Sequence, residues 1–395
     1  MKHVVIAGGG FGGVRLARKL KNQKNVSVTL INNAVDFRYC PALYRAATGS
    51  KLGTARLPLE WMLLDTPRTS LVSDTVVSVD PIAKVIRTAG GQAITYDEAV
   101  FSLGSITTYF NIEGLHEHSY GIKTPEEVTQ LRRHVHEKVT DKDLSDENYV
   151  IVGAGPTGVE LAGGLGTYIN NIARNHHVRK HKIQVWLVEA GPRILPQMTP
   201  RAARAVQKRL ESLGVKILLS TAVTRETINS LKTSTGTIKT DTVIWTAGTA
   251  NNPFFKEHPD VFNLNEKGRV VVNKHLQVSP HIYVIGDNAA TPHSGLALTA
   301  IWHANFVSRD IKARSKNSKR PTTFEHAPIQ VVPAGHGWAV LQYKRFVLHG
   351  RLIALVRLAA DYIGYSDMLG TLKAMTIWSN SKKTEDDCDI CNKNT

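Results

Sequence analysis

The chain has 395 residues, 42% of them hydrophobic and 21% charged, and a formal net charge of +16 at pH 7. That composition excludes a disordered or fibrous chain and leaves room for roughly two to three domains with their own cores. Three cysteines are too few for a disulfide framework, which points to a reducing, cytosolic compartment. The basic excess implies an anionic partner, either nucleic acid or an acidic membrane surface.

The amino terminus runs straight into an apolar, β-rich stretch. It lacks the basic start, apolar run and small-residue cleavage site of a secretory signal, so none is expected. The stretch "KHVVIAGGGFGGVRLARKL" reads as strand, glycine-rich turn and helix. At 150–165 it is rewritten as "VIVGAGPTGVELAGGL", with Gly8, Gly10 and Gly13 aligned without a gap over Gly153, Gly155 and Gly158. One such motif is weak evidence; two, each between a strand and a helix, predict a pair of dinucleotide sites. The glycines allow a tight turn and bring backbone N–H groups close to a pyrophosphate, and the helix amino terminus adds partial positive charge.

The strand after each helix separates the two ligands. "VSVTLIN" ends at Asn32 and "IQVWLVE" at Glu189, the second delayed by the basic insertion "NNIARNHHVRKHK". A carboxylate in that place accepts from a ribose 2′-OH and repels a 2′-phosphate, favouring NADH over NADPH. Asparagine can still serve a ribose. A permanently held flavin dinucleotide in the first site and an exchanging nicotinamide dinucleotide in the second would explain the duplication.

Each copy is succeeded by an alternating series, 75–105 and 228–248, that predicts a β-meander returning to a sheet. In "PHIYVIGDNA", Asp287 either holds a ribityl chain or caps a helix. Nowhere is there a run of eighteen apolar residues, so no transmembrane helix is expected. "GRLIALVRLAADYIGY" predicts a helix with Leu352, Val356, Ala359 and Ile363 on one face and Arg357 and Asp361 opposite. Lys344, Arg345, Arg351 and Arg357 surround the apolar surface, and "SDMLGTLKAMTIW" predicts a second helix aligning Met368, Leu372 and Met375. Basic amphipathic helices of this kind lie in a membrane interface, and anionic lipid adds roughly 1 kcal/mol per nearby Lys or Arg. A soluble homodimer interface is the competing use. The polar tail reads as disordered; its Cys388 and Cys391 lack a second pair or a nearby histidine, so no metal is expected. Basic residues are spread along the chain without a nucleic-acid motif, so no nucleic-acid partner is expected.

The two turns, "SLGS", "WTAG" and "YVIGDNA", in this order, resemble the two-dinucleotide-binding flavoprotein superfamily. "CPALYRAATG", "TTYFNIEGLHEHSYGIKTPEEV" and "LVEAGPRILPQM" look like the type II NADH dehydrogenases, the non-proton-pumping NADH:quinone reductases. The resemblance implies an α/β fold of two Rossmann-like domains. The FAD domain would take 1–115 and 266–327, with an NADH domain inserted over 116–265, an amphipathic membrane-anchoring helical region over 328–380 and a tail over 381–395. It implies tight, non-covalent FAD binding by Gly8, Gly10, Phe11, Gly12, Gly13, Asn32, Asn33, Pro41, Tyr44, Val76, Gly104, Gly286, Asp287, Thr299 and Ala300. NADH would meet Gly153, Gly155, Pro156, Thr157, Gly158, Glu160, Glu189, Val223, Ala247 and Gly248.

Glu160, where the first copy has Arg15, is implied to stand beside nicotinamide and flavin as the catalytic candidate, orienting the ring, relaying a proton, or only accepting a supporting hydrogen bond. The family commonly carries glutamines after its "GD" motif, at the quinone site. This chain reads "LALTAIWHANF" and has Leu298 and Trp302 there, so the quinone wall is expected from Thr48, Leu298, Trp302 and His303. The implied reaction is hydride transfer from NADH to FAD, then two electrons to menaquinone or ubiquinone. It would be ping-pong and non-electrogenic, by a peripheral enzyme on the cytoplasmic face of the cell membrane. The rival resemblance is to single-cysteine NADH oxidases, peroxidases and coenzyme A disulfide reductases, with Cys40 of "CPALY" as a redox thiol. Proline follows Cys40 where those relatives have glycine, and "YRAATG" fits the quinone reductases.

Overall fold

The computed structural model describes residues 1–141, 147–178, 183–322 and 327–381. The tail expectation, with Cys388 and Cys391, lies outside the described residues.

The first unit begins with β1 (Lys2–Ala7), α1 (Phe11–Leu20), β2 (Val26–Asn32), α2 (Cys40–Ala47), β3 (Thr69–Ser73) and β4 (Glu98–Phe101). The second contains β5 (Glu147–Val152), α3 (Pro156–Asn175), β6 (Ile183–Val188), α4 (Pro200–Ser212), β7 (Lys216–Leu218) and β8 (Thr242–Trp245). The chain then returns to the first unit through β9 (Gln277–Ser279), β10 (Ile282–Val284) and α5 (Ala297–Ser315). The first sheet has the order β9-β10-β4-β1-β2-β3 and the second β7-β6-β5-β8. All pairings are parallel except β9 with β10.

Parallel strands are covered on both faces and so read as continuous apolar runs; Val4 to Ala7 and Val150 to Ile151 are fully buried. α1 buries Val14, Leu16, Ala17 and Leu20, and α3 buries the aligned Val159, Leu161, Ala162 and Leu165. In each sheet the strand carrying the glycine turn lies between the strand that follows it and a later one, β4 or β8. That reversal of strand order opens a crevice at the carboxyl ends of the strands. Each unit adds a three-stranded antiparallel meander, Val76–Thr95 and Val223–Lys239.

The carboxyl-terminal part is a three-stranded antiparallel sheet, β11 (Gln330–Pro333), β12 (Ala339–Tyr343) and β13 (Phe346–Gly350), followed by α6 (Arg351–Leu369) and α7 (Thr371–Asn380). α6 is inverted relative to an ordinary surface helix. Its apolar face points out, with Leu352 77% and Ile363 64% exposed, whereas Asp361 is 0% exposed. Two expectations are corrected here. Arg357 does not belong to the basic rim; it turns inward and pairs with Asp361 at 2.6 Å. Met368 does not share a face with Leu372 and Met375, because Gly370, at φ +82°, ends α6 between them. Met368 packs in the core while Leu372 and Met375 are exposed. Among the described residues no helix is long and apolar enough to cross a membrane.

Candidate active site: two open glycine turns and a buried ion network

Both turns are built alike. Gly8 (φ +106°) and Gly153 (φ +102°) have left-handed backbone, and a Cβ on either would strike the backbone just past the neighbouring strand, at Ser102 O (2.2 Å) or Ala247 N (2.6 Å). A Cβ on Gly13 or Gly158 would lie 1.9 Å from the carbonyl oxygen of Gly8 or Gly153. The middle glycines, Gly10 and Gly155, have nothing within 4 Å. That open side, at a helix amino terminus, is the shape a pyrophosphate requires.

The strand ends fasten the turns by the same bond. Gly9 N–H donates to Asn32 Oδ1 and Ala154 N–H to Glu189 Oε2, each at 2.7 Å. Glu189 Oε1 also accepts from Gly191 N–H at 2.7 Å. A carboxylate has about four acceptor positions, so capacity for a ribose hydroxyl remains. Pro156 begins α3, where a missing N–H removes no helical bond, and Thr157 is exposed beside it. Phe11 packs edge-on to Phe37 at 4.9 Å, Gly12 fits against Ser102 and Ile285, and Asn33 is exposed.

The correspondence continues beyond the turns. Val76 and Val223 open the two meanders, both buried. Gly104 (φ +71°) and Gly248 (φ +74°) end the two crevice walls, and the segments after them pair as a short antiparallel ribbon. Asp287 does not cap a helix: Gly295 N–H donates to its Oδ1 at 3.2 Å and Ser105 Oγ to its Oδ2 at 3.4 Å. Asn288, which sequence reasoning missed, is fully buried and clamps Gly104, accepting from its N–H (2.9 Å) and donating to its carbonyl (2.7 Å). The only cue was its place in "GDN". Ala300 lies against Gly286, and Thr299 Oγ1 donates to His293 O at 2.9 Å.

The four residues expected on the quinone wall lie on two helices, α2 and α5. Thr48 terminates α2, its hydroxyl donating to Tyr44 O at 3.0 Å, and packs beside Gly164 of α3. Leu298 and Trp302 are half-buried on α5. His303 is 1% exposed and its Nδ1 accepts from Gly286 N–H at 3.1 Å. Burial pushes its pKa down to about 4, so it is a neutral clip on the glycine before Asp287, with Nε2 3.4 Å from Thr291 Oγ1.

Cys40 opens α2 and is exposed, its Sγ 3.7 Å from the carbonyl of Arg38. Desolvation and the Asp287 carboxylate push its thiol above the ordinary range. The thiolate is the nucleophilic form, so this environment disfavours redox-thiol chemistry. Lys123 reaches the same corner, its buried Nζ without a hydrogen-bond partner among the described residues. Burial lowers its pKa while Glu127, Asp287 and Cys40 oppose that.

Glu160 feels the charges of a buried ion network, centred on Asp361, that sequence reasoning did not anticipate. Burial pushes its carboxyl up to about 8, against the pull of Arg357, with Asp361 adding to the rise and Arg45 opposing it. Asp361 binds Arg45 Nη1 at 2.7 Å and Arg357 Nη1 at 2.6 Å. Arg357 Nη2 donates to the carbonyl of Pro41 at 3.5 Å. Tyr44 lies with its ring 5.9 Å from the Arg45 guanidinium, its phenol pushed up by burial and by Glu160.

Two dinucleotide-type turns on successive parallel sheets, with a carboxyl group on the helix after the second, define a nucleotide-dependent oxidoreductase architecture. The description of the pyridine nucleotide-disulphide oxidoreductases matches residues 2–304, and the chain belongs to that family. It is 28% identical to the type II NADH:quinone oxidoreductase Ndh of Mycobacterium tuberculosis, over 95% of this chain and 87% of that protein. It is 28% identical to the NADH dehydrogenase-like protein YutJ of Bacillus subtilis, over 81% and 86%. In fold it is similar to NDH2 of Plasmodium falciparum in complex with NADH (TM-score 0.83, 17% identity, 96% of this chain and 98% of that one). It is also similar to the sulfide:quinone oxidoreductase of Aquifex aeolicus (TM-score 0.80, 19% identity, 94% and 92%).

Proposed function

We propose that this protein is an FAD-dependent, non-electrogenic NADH:quinone oxidoreductase that works by ping-pong at a membrane surface. The observation that carries the reading is the paired construction of the turns, open at Gly10 and Gly155 and ending differently at Asn32 and Glu189. The names of the relatives at 28% identity support the same reaction. The units it uses are 1–115 with 266–327, 116–265 and 328–380.

Gly8, Gly10 and Gly13 would cradle the FAD pyrophosphate, Asn32 its ribose and Asp287 the ribityl chain. Pro41 and Tyr44 would lie along the ring, with Thr299 and Ala300 at its pyrimidine end. When bound, FAD supplies the two-electron chemistry that side chains lack. Gly153, Gly155, Thr157 and Gly158 would hold the NADH phosphates, and Glu189 would accept from the 2′-OH. Glu160, neutral below about pH 8, would hold a proton at its carboxyl beside the nicotinamide. The contribution of the chain is chiefly orientation, which can supply about 7–11 kcal/mol of a barrier.

The outward face of α6 and α7 would rest in an anionic lipid surface on the cytoplasmic side, from which menaquinone or ubiquinone would enter. Exposed Leu352, Leu355, Val356, Ile363, Leu372 and Met375 lie on these two helices, and Phe346 and Leu348 are exposed on β13 just before them; a patch of this kind marks a membrane or protein partner. Leu352→Glu with Ile363→Glu is expected to weaken co-sedimentation with phosphatidylglycerol vesicles by about 100-fold, since burying each such side chain is worth about 1.5–3 kcal/mol. Unchanged co-sedimentation would remove the lipid assignment.

The reaction is tested in stopped flow. NADH should bleach the flavin absorption, and a short-chain quinone should restore it after NAD⁺ has left. Restoration by peroxide or a disulfide, with quinone inert, would return the chemistry to Cys40.

A further inference from the structure

We propose that Arg357 and Asp361 of α6, together with Arg45 of α2, are positioning residues for Glu160, so that the carboxyl group at the nicotinamide site takes its protonation state from the carboxyl-terminal helix. This rests on the proposed reaction for the place of Glu160.

α6 acts on the same position of both glycine-turn helices, through an ion pair at one and through nearby charge at the other. Arg15 and Glu160 align in the two copies. Arg15 pairs with Asp367 of α6 at 2.9 Å and bonds Asn305 of α5 at 3.1 Å. Glu160 feels the opposite charge pattern, Arg357 and Asp361, about two to three turns earlier on α6. The match to the family description ends at residue 304, so Arg357, Asp361 and Asp367 lie beyond it while Arg45 lies within it.

The charge balance inside the cluster explains why it can tune Glu160. Two guanidinium groups face one fully buried carboxylate, Asp361. One positive charge is therefore left over, and an ionised Glu160 would cancel it. Burial favours the neutral carboxyl. The two effects oppose each other, which leaves the carboxyl titrating above neutrality rather than locked in either form. Spare donors point the same way: Arg45 Nε and Nη2 and Arg357 Nε are buried without a partner among the described residues. The groups facing Glu160 are Arg45 and Tyr44 from α2 and Arg357 and Asp361 from α6. Tyr39 and Tyr365, stacked at 4.1 Å, close the cluster, and burial keeps these phenols neutral.

The test is the pH midpoint of flavin reduction by NADH, together with infrared titration of the buried carboxyl C=O stretch in the oxidised holoprotein without NADH. Asp361→Asn removes a charge that favours neutral Glu160 and should move both midpoints down by about 1 pH unit. Arg357→Gln removes a charge that favours ionised Glu160 and should move both up by about the same amount. Arg357→Lys should restore the midpoint, and Glu160→Gln should abolish the infrared step. If Asp361→Asn does not accumulate as folded protein, the upward shift in Arg357→Gln decides alone. Shifts in one common direction, or none, overturn the proposal. Failure of NADH to bleach the flavin in the unaltered protein would instead overturn the reaction assignment.

Discussion

Gly158→Ala is expected to give a folded, yellow protein whose flavin NADH no longer reduces, whereas Gly13→Ala should give a colourless one. At both positions the new Cβ would lie 1.9 Å from a carbonyl oxygen of the same turn. Backbone cannot yield there as a side-chain end could, so the turn must open and its N–H groups lose their common aim. A distortion costing even about 3 kcal/mol corresponds to about 100-fold in affinity. The middle glycines provide the control. Gly10 has φ −83° and ψ −166°, a conformation alanine adopts, and open space around it. Gly10→Ala should therefore keep the thermal stability of the flavin-free protein while weakening flavin uptake, because the methyl occupies the approach of the pyrophosphate and not the turn. Gly155→Ala should do the same to NADH alone. The measurements are flavin content, NADH titration by flavin bleaching, and melting of the flavin-free protein. Loss of flavin in Gly158→Ala, or full NADH affinity in Gly155→Ala, would reverse the assignment of the two sites.

These glycines were legible in the sequence because their constraint is local: a left-handed φ and a close backbone approach leave no other residue. Fold class came from the same signal, since a strand, a turn and a helix repeated once predict two parallel sheets, and the similarity to NDH2 is in accord. The cluster around Glu160 was not legible. Arg45 and Asp361 are separated by 316 residues, and nothing in "LVRLAADYIG" says which face of an amphipathic helix is turned inward. The pattern separated Arg357 and Asp361 from the leucines; only packing decides that the ions are buried and the leucines exposed. Gly370 was visible as a glycine, but its left-handed break between Leu369 and Thr371 was not. His303 had a cue that could have been used. It is adjacent to Trp302 on α5, and neighbours on a helix point about 100° apart, so Trp302 half-buried beside a fully buried His303 fits that spacing.

A second large effect lies away from the crevice, in the joint that holds β10 to α5. Asp310 is 0% exposed and binds Arg320 in a two-pronged pair, Nε to Oδ1 at 2.7 Å and Nη2 to Oδ2 at 2.6 Å. Tyr283 donates its hydroxyl to Asp310 Oδ2 at 2.8 Å and accepts from Arg314 at 3.1 Å. Arg314 in turn binds the buried Glu98 of β4 at 2.7 Å. Asp310→Ala leaves the Tyr283 hydroxyl and the Arg320 fork without their acceptor, and breaking one side of a buried pair typically costs about 3–5 kcal/mol. The comparison variant is Glu113→Gln, whose partner Arg225 is 53% exposed; an exposed pair is worth no more than about 1 kcal/mol. Urea denaturation should therefore show a large fall in midpoint for Asp310→Ala and almost none for Glu113→Gln. The consequence should also reach the cofactor site, because Tyr283 lies on the strand that leads into Gly286 and Asp287. Flavin retention on dilution should weaken in Asp310→Ala although no altered atom touches the crevice. Equal urea midpoints for the two variants would mean that the packing of α1 on α5, and not this ion network, fixes the joint.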